Sequence, residues 1–236
     1  IMKNTFLGMV TLLFAFQLNA QQVTWQCYNV VVDNPAALTS VWDDFMQTDI
    51  GKSMSANAIF QYDFASSEFA ATHQVCWFSD NPVELQENFV KFANAKTMNT
   101  VGIYETWNEE VEQESAVLGQ SLIADPSGFS LNFSVLYYLN VKDPATYAAA
   151  FTKMKAAAED SNDSEGTLEL HEILAGGEPG VTHAVIVRAP SMADWLENRN
   201  EFFSSKTFQD FVKTVRPVSE VLHVVSGSPI KFYNVD

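Results

Sequence analysis

The chain has 236 residues, of which 47% are apolar and 13% aromatic, so it can bury a sizeable core. Its formal net charge is −16, from 13 Lys and Arg against 29 Asp and Glu. An acidic surface of this kind repels phosphate backbones. The composition therefore disfavours a nucleic-acid-binding role and predicts a globular protein.

The N-terminus has the pattern of an export signal. Lys3 supplies a positive charge, residues 6–16 form an apolar run, and Leu18-Asn19-Ala20 offers a cleavage site. This run is shorter than the roughly 20 residues needed to cross a bilayer. We therefore predict a signal peptide over residues 1–20 and a periplasmic or secreted mature chain that does not contact the membrane. A retained N-terminal anchor helix is the alternative.

The chain carries an internal repeat at an offset of 110 residues. Thr72-His73-x-Val75 recurs as Thr182-His183-x-Val185, and residues 87–97 match residues 197–207 at Glu, Asn, Phe, Lys and Thr. Together, 8 of the 26 positions between Thr72 and Thr97 are identical in the second copy. An internal repeat is the strongest sequence signal for architecture. We therefore expect two copies of one structural unit, over residues 21–126 and 127–236.

In the first copy, residues 25–32 predict a strand that ends in Asp33-Asn34-Pro35, a helix-start signal. Residues 58–64 and 72–78 then predict a hairpin, and residues 116–123 a closing strand. The apolar residues with helical spacing in the two intervening helices are Leu38, Val41, Trp42 and Phe45, then Leu85, Phe89 and Phe92.

The second copy repeats this order. Strands are predicted over residues 133–141, 167–174, 181–188 and 221–226, with a glycine-rich hairpin turn at residues 176–180. The helical stripes are Tyr147, Ala150, Phe151 and Met154, then Trp195, Phe208, Phe211, Val212 and Val215. Asp125-Pro126-Ser127-Gly128 predicts the linker between the copies, and the acidic run 159–165 a solvated loop.

The predicted order βαββαβ is the ferredoxin-like unit. The second copy, from Thr182-His183-Ala184-Val185 through residues 191–195 and 208–211 to Val215-Arg216-Pro217, resembles the dimeric α/β-barrel superfamily. Within it, the chain is most similar to the stress-responsive barrel and antibiotic-biosynthesis-monooxygenase branches. The resemblance implies an α+β fold in which two tandem ferredoxin-like βαββαβ repeats, with antiparallel sheets, pack as one α+β barrel. One chain would then form the pseudo-dimer that relatives form from two, and further oligomerisation stays open.

The two cysteines, Cys27 and Cys76, both lie in the first copy, and their counterparts in the second copy are Leu136 and Ile186. Apolar counterparts indicate buried positions, which suit either a disulfide or two inert thiols. Because export permits disulfides, we predict the Cys27–Cys76 bridge.

The four histidines all fall in predicted strands, and His73 and His183 are repeat equivalents. His171 corresponds to Tyr62 at an offset of 109, and its distance from the turn at Gly177 makes it a cross-strand neighbour of His183. These polar aromatic groups are predicted to line one cavity between the repeats. The alternative for each histidine is a core residue satisfied by a backbone or threonine partner.

The superfamily resemblance implies three further possibilities for a site. Its cofactor-free monooxygenases bind an aromatic substrate with Asn, Trp and His, for which Asn29, Trp77 and His73 are candidates. Its haem enzymes take an axial histidine from the second repeat, yet no histidine falls on a predicted helix there. A metal site would need three or four converging ligands, and His171 with Glu169 or Glu172 is too small a set. We therefore expect no cofactor and no metal.

The sequence leaves three kinds of function open. The first is an exported protein of unassigned activity that binds a small molecule or a partner, with an apolar or aromatic ligand in the cavity between the repeats. The second is a cofactor-independent monooxygenase acting on a small aromatic or quinol-like compound. The third is a structural component of a surface assembly. No catalytic motif such as G-x-S-x-G decides between an enzyme and a binding protein.

Overall fold

The computed structural model describes residues 22–66, 69–92, 101–160 and 166–235. The predicted signal peptide, Lys96-Thr97 of the repeat and positions 161–165 of the acidic run lie outside these residues. Among the helices of the described part, none is long and apolar enough to cross a membrane.

The first half of the chain alternates strands and helices as the repeat predicts. In chain order its elements are β1 (Thr24–Val32), α1 (Pro35–Met46), α2 (Asp49–Lys52), β2 (Ala56–Phe64), β3 (His73–Ser79), α3 (Pro82–Phe92), α4 (Ile103–Glu110) and β4 (Val111–Ile123). A 3-10 turn over Pro126–Ser130 leads into the second half. There the elements are β5 (Phe133–Val141), α5 (Pro144–Asp160), β6 (Thr167–Gly176), β7 (His183–Ala189), α6 (Met192–Ser204), α7 (Lys206–Val215) and β8 (Ser219–Tyr233).

The eight strands of the described chain close into one antiparallel barrel, in the order β1-β3-β2-β8-β5-β7-β6-β4. Each half contributes a four-stranded sheet, and the two sheets join where β4 pairs with β6 and β8 pairs with β2. The last strand of each half therefore extends into the other half. This arrangement confirms the predicted fold class of two ferredoxin-like repeats packed as one α+β barrel.

The repeated Thr-His pair has a structural role at the start of β3 and of β7. The hydroxyl of Thr72 accepts a hydrogen bond from the backbone N–H of Val32 at 2.9 Å, and Thr182 accepts one from Val141 at 2.9 Å. Each hydroxyl also lies within 2.9 Å of Nδ1 of the histidine that follows it. These bonds tie the third strand of each half to the end of its first strand, which explains the repetition of the motif.

Helices cover the outer surface of the barrel, and each half has its own core between helices and sheet. In the first half the predicted stripe of α1 is buried, with Trp42 and Phe45 at 1% and 0% exposure. In the second half Phe151 of α5 is fully buried. Side chains alternate along every strand, so one set enters these outer cores and the other set enters the barrel.

The second helix of each repeat differs from the prediction. Residues 192–215 form two helices, because Ser205 ends α6 and its hydroxyl caps α7 by accepting from the N–H of Phe208 at 3.2 Å. In α3, Leu85 is buried as predicted, but Phe89 is 49% exposed and lies outside the core.

Cys27 and Cys76 form a disulfide, as predicted. They stand directly opposite each other on β1 and β3, with their Cα atoms 4.1 Å apart. Both side chains enter the barrel and help to line its interior.

Candidate functional site

A cavity of about 240 Å³ lies inside the barrel, between the two repeats. Its walls are mostly apolar, since rings and aliphatic groups from both halves surround the disulfide. The principal apolar side chains are Trp25, Phe60, Phe78, Phe129, Leu136 and Ile186. Val23, Ala124 and Asp125 bring the cavity to the end of the barrel where β1 begins and β4 ends. This is the shape and polarity typical of a small-molecule site.

A chain of four polar side chains lies along one wall. Trp25 donates from Nε1 to Nδ1 of His171 at 3.1 Å, and Nε2 of His171 lies 3.0 Å from Oε2 of Glu169. Arg188 donates from Nε to Oε1 of Glu169 at 2.8 Å. Because Nδ1 of His171 accepts a hydrogen bond, the imidazole carries its proton on Nε2 and donates it to Glu169. Glu169 thus receives one hydrogen bond on each oxygen.

Glu169 stays ionised although it is only 5% exposed. Burial alone would raise the pKa of its carboxyl, but the positive charge of Arg188 and the hydrogen bond from His171 outweigh burial and lower that pKa to about 2. The guanidinium of Arg188 also lies 5.6 Å from the centre of the Phe129 ring. The pair therefore has no net charge within an apolar cavity.

A second polar group lies deeper in the barrel. The hydroxyl of Tyr62 donates to Oδ1 of Asn29 at 2.9 Å, and the amide of Gln74 donates to the same oxygen at 3.0 Å. Tyr138 packs against Tyr62 from the second repeat. Burial raises the pKa of Tyr62 well above its ordinary value and also raises the pKa of Tyr138, so both phenols stay protonated.

Two glycines allow the polar wall to form. A Cβ atom at Gly119 would lie 2.2 Å from the ring of Trp25, so only glycine leaves room for the indole to reach His171. A Cβ atom at Gly128, in the 3-10 turn, would lie 2.6 Å from Oε1 of Glu169 and 2.8 Å from Cδ of Arg188. The linker between the repeats therefore lies directly against the ion pair.

The structure places the predicted site residues on two different faces of the sheet. His171 and Tyr62 line the cavity, and Asn29 lies behind Tyr62 as its hydrogen-bond partner. The side chains of His73, His183 and Trp77 lie on the outer face, towards the helices. Trp77, for example, packs against Trp42 with 5.6 Å between ring centres.

The predicted pairing of His171 with His183 is wrong by one residue. His171 stands opposite Ala184, and His183 stands opposite Glu172. A shift of one residue moves a side chain to the other face of the sheet. His73 likewise pairs with Gln61 and lies on the opposite face from Tyr62. Burial lowers the pKa of both His73 and His183, which fits outer-core residues held by threonine.

A second cavity of about 400 Å³ lies outside the barrel, between the sheet of the second repeat and helices α5 to α7. Its lining is almost wholly apolar and includes five phenylalanines, Phe151, Phe202, Phe203, Phe208 and Phe211. Neither histidine nor cysteine lines it. The axial histidine that a resemblance to haem enzymes implies is therefore not among the described residues that line this cavity.

Within the described residues, His, Cys, Asp and Glu side chains do not form a group of three or more that could hold a metal ion. The polar wall of the barrel offers one carboxylate, whose two oxygens are already occupied by Arg188 and His171.

Three residues of the polar wall were not predicted to line the cavity, namely Trp25, Glu169 and Arg188. Arg188 is the repeat equivalent of Phe78, at the offset of 110 residues, so a charged residue stands where the first repeat has an aromatic one. A charge at a repeat position that is otherwise aromatic was the signal that could have revealed it.

No protein-family model matches the chain, and no curated protein sequence matches it. Solved structures do match over nearly the whole chain. A candidate monooxygenase from Lactobacillus acidophilus NCFM is 9% identical, with a TM-score of 0.57 over 90% of this chain and 95% of its own. An anthrone oxidase-like protein is 10% identical, with a TM-score of 0.56 over 91% and 93%. A candidate chlorite dismutase is 11% identical, with a TM-score of 0.53 over 89% and 95%.

These likenesses show that the chain has the dimeric α/β-barrel, or ferredoxin-like, fold. The solved neighbours are monooxygenase-like and chlorite dismutase-like proteins. At identities near 10% the likeness concerns the fold, and the function must be argued from the cavity.

Proposed function

We propose that this protein is exported and binds a small, largely apolar molecule in the cavity inside its barrel. The observation that carries the proposal is the interior cavity of about 240 Å³, apolar on most sides and polar along one wall. An apolar cavity of about 150 Å³ is large enough to bind benzene. The volume here therefore suits one substituted ring.

Two features support export. The Cys27–Cys76 disulfide is a bond that persists in oxidising compartments and is rare in reducing ones. Residues 1–20 have the pattern of a signal peptide. Both features fit a periplasmic or secreted binding protein.

A substitution that fills the cavity tests the proposal. Ala184 lines the cavity opposite His171 and is 3% exposed, so Ala184→Leu adds three carbons to the ligand space. Ala193, on the exposed side of α6, offers a matched control in Ala193→Leu. We expect single-ring aromatic compounds to raise the melting temperature of the unsubstituted protein and of Ala193→Leu but not of Ala184→Leu. An equal rise in all three proteins would place the ligand elsewhere and contradict the proposal.

A second candidate function is a cofactor-independent monooxygenase acting on a small aromatic or quinol-like compound in the same cavity. Its support is the polar wall beside apolar rings, together with a fold shared with proteins described as monooxygenases. In such a reaction a phenol would give four electrons to dioxygen, whose two atoms separate. One atom becomes a carbonyl oxygen on an unsubstituted ring carbon, and the other leaves as water with the hydrogens of that C–H and of the hydroxyl, so that the phenol becomes a quinone. No cofactor is needed, because the substrate is itself the reductant.

Dioxygen uptake with a panel of quinols and phenols tests this second function. The relevant variant is His171→Phe, because His171 lines the cavity whereas His73 and His183 do not. Uptake that is lost in His171→Phe and kept in His183→Phe would support catalysis in the barrel. Binding of the same compounds without uptake of dioxygen would favour the binding protein.

A further inference from the structure

The two repeats have different kinds of side chain on the barrel wall at three equivalent positions. Strand pairing defines the equivalence, because Cys76 and Ile186 are separated by the repeat offset of 110 and pair with Ala58 and Glu169 respectively. The first repeat has small or aromatic residues where the second has the ion pair and its histidine. The equivalent residues are Ala58 and Glu169, Phe60 and His171, and Phe78 and Arg188. The predicted correspondence of His171 with Tyr62 is therefore wrong, because Phe60 pairs with Gln74 as His171 pairs with Ala184.

The first repeat thus shows that the strands form without charges at these positions. Moving an ion from water into a protein interior is unfavourable, and a well-packed apolar substitute is often as stable. Arg188 and Glu169 are only 6% and 5% exposed, so both ions bear this cost. Their presence in one repeat alone therefore points to a role beyond folding.

The guanidinium of Arg188 has hydrogen-bonding capacity left over. Its Nε atom donates to Glu169, and its Nη1 atom lies 3.4 Å from Oγ of Ser134, which is a long contact. Among the described residues, Nη2 donates no hydrogen bond to a protein acceptor. Glu169 and His171, in contrast, use both oxygens and both nitrogens within the cluster. Arg188 is therefore the residue of the polar wall that can donate a hydrogen bond to a ligand.

The charges of the polar wall determine which kind of ligand group can accept a hydrogen bond from Arg188. Glu169 already neutralises Arg188, so a second carboxylate from a ligand would leave a net negative charge among Phe60, Phe78 and Phe129. An uncharged oxygen, such as a ketone or quinone carbonyl, accepts a hydrogen bond without that penalty.

We propose that Arg188 orients an uncharged ring compound in the barrel by donating a hydrogen bond from Nη2 to a carbonyl oxygen of that compound. The inference rests on the proposed function, since it names the ligand class of the same cavity. Arg188 then determines specificity, and Glu169 and His171 hold its guanidinium in place.

Three probes of equal heavy-atom count test this inference. Acetophenone carries a carbonyl, cumene replaces it with a methyl-bearing carbon, and benzoate replaces it with a carboxylate. Calorimetric titration of the mature, disulfide-bonded protein is expected to give about tenfold tighter binding of acetophenone than of cumene, the ratio given by one hydrogen bond from a charged donor. Benzoate is expected to bind most weakly.

Two variants and one control assign the preference to Arg188. Glu169→Gln/Arg188→Met removes both charges and the donor together, and is expected to bind acetophenone and cumene equally. Arg188→Lys keeps the charge but lacks Nη2, and is expected to lose most of the preference. Arg199→Gln makes a similar change on α6, where the guanidinium packs on Trp195, and is expected to keep the preference. The side-chain ¹H–¹⁵N resonances of Arg188 are expected to shift with acetophenone and not with cumene.

The outcomes separate the two proposals. Equal binding of acetophenone and cumene by the unsubstituted protein overturns the role of Arg188 while the cavity still binds its ligand. Tightest binding of benzoate overturns the uncharged ligand class. Failure of all three probes to bind overturns both this inference and the proposed function.

Discussion

The Nε atom of Arg188 lies 2.8 Å from Oε1 of Glu169 inside the barrel, with both side chains buried. Removing one member of such a pair leaves the other ion buried and uncompensated. We expect Arg188→Met to lower the free energy of unfolding by about 3–5 kcal/mol. The double variant Glu169→Ala/Arg188→Phe, which installs the residues of the first repeat, is expected to recover most of that loss.

Urea unfolding at neutral pH measures both changes. Lys206→Met provides a control, because Lys206 pairs with Asp210 on the exposed surface of α7 and its loss is expected to leave stability unchanged. An equal loss in the single and double Arg188 variants would contradict the view that the cost arises from an unpaired ion.

The stability of the protein is expected to depend on the ionisation of Glu169. Its folded-state pKa of about 2 lies below the ordinary value of 4.5, so the folded protein favours the carboxylate more than the unfolded chain does. The resulting stabilisation, about 3 kcal/mol, is fully present above about pH 5 and is lost as the pH falls through 4.5 towards 2. Urea unfolding at several pH values is expected to show that, between about pH 5 and pH 2, the free energy of unfolding depends less steeply on pH in Glu169→Gln than in the unsubstituted protein. The same pH dependence in both proteins would contradict the role of Glu169.

The repeat predicted the fold because its most similar segments carry the bonds that fix strand order. Thr72 and Thr182 tie the third strand of each half to the first, and matched Asn-Pro and Asp-Pro signals start α1 and α5. Six of the eight strands begin and end within two residues of the prediction, and strand 133–141 agrees at both ends. In contrast, β4 begins five residues earlier and β8 ends seven residues later than predicted.

The site was harder to predict because the face of a strand depends on register to a single residue. The prediction placed His171 opposite His183, whereas the structure pairs it with Ala184. Because of this error of one residue, His183 was predicted to line the cavity although it lies in the outer core. The β1–β4, β2–β8, β4–β6 and β5–β8 ladders contain register shifts, which a constant sequence offset cannot represent. Arg188 was missed for a different reason, since a charged residue near the end of a strand is ordinarily exposed.

The two Thr-His pairs are expected to behave as matched structural elements. Thr72→Val and Thr182→Val each remove an acceptor for a backbone N–H and the partner of Nδ1 on a buried histidine. We expect each to lower the free energy of unfolding by about 1–3 kcal/mol while ligand affinity is unchanged, since neither residue lines the cavity. Urea unfolding and titration with acetophenone measure the two effects. A loss of affinity comparable to that of Ala184→Leu would count against this division of roles.

The disulfide is expected to stabilise both the fold and the cavity. It joins residues 49 positions apart, which corresponds to about 4 kcal/mol in the chain-entropy model. Cys27→Ala/Cys76→Ala is therefore expected to lower the melting temperature markedly and, because the sulfurs line the cavity, to weaken ligand binding. Reduction of the unsubstituted protein provides the matched comparison. Unchanged melting in both cases would show that the bond adds no stability.

Native mass spectrometry of the mature protein, purified from its own source, shows whether a ligand occupies the barrel. We predict a mass excess of one small organic molecule, which leaves on denaturation and is absent from Ala184→Leu. The polypeptide mass alone for the unsubstituted protein, together with no change in melting on addition of single-ring compounds, would contradict a ligand inside the barrel.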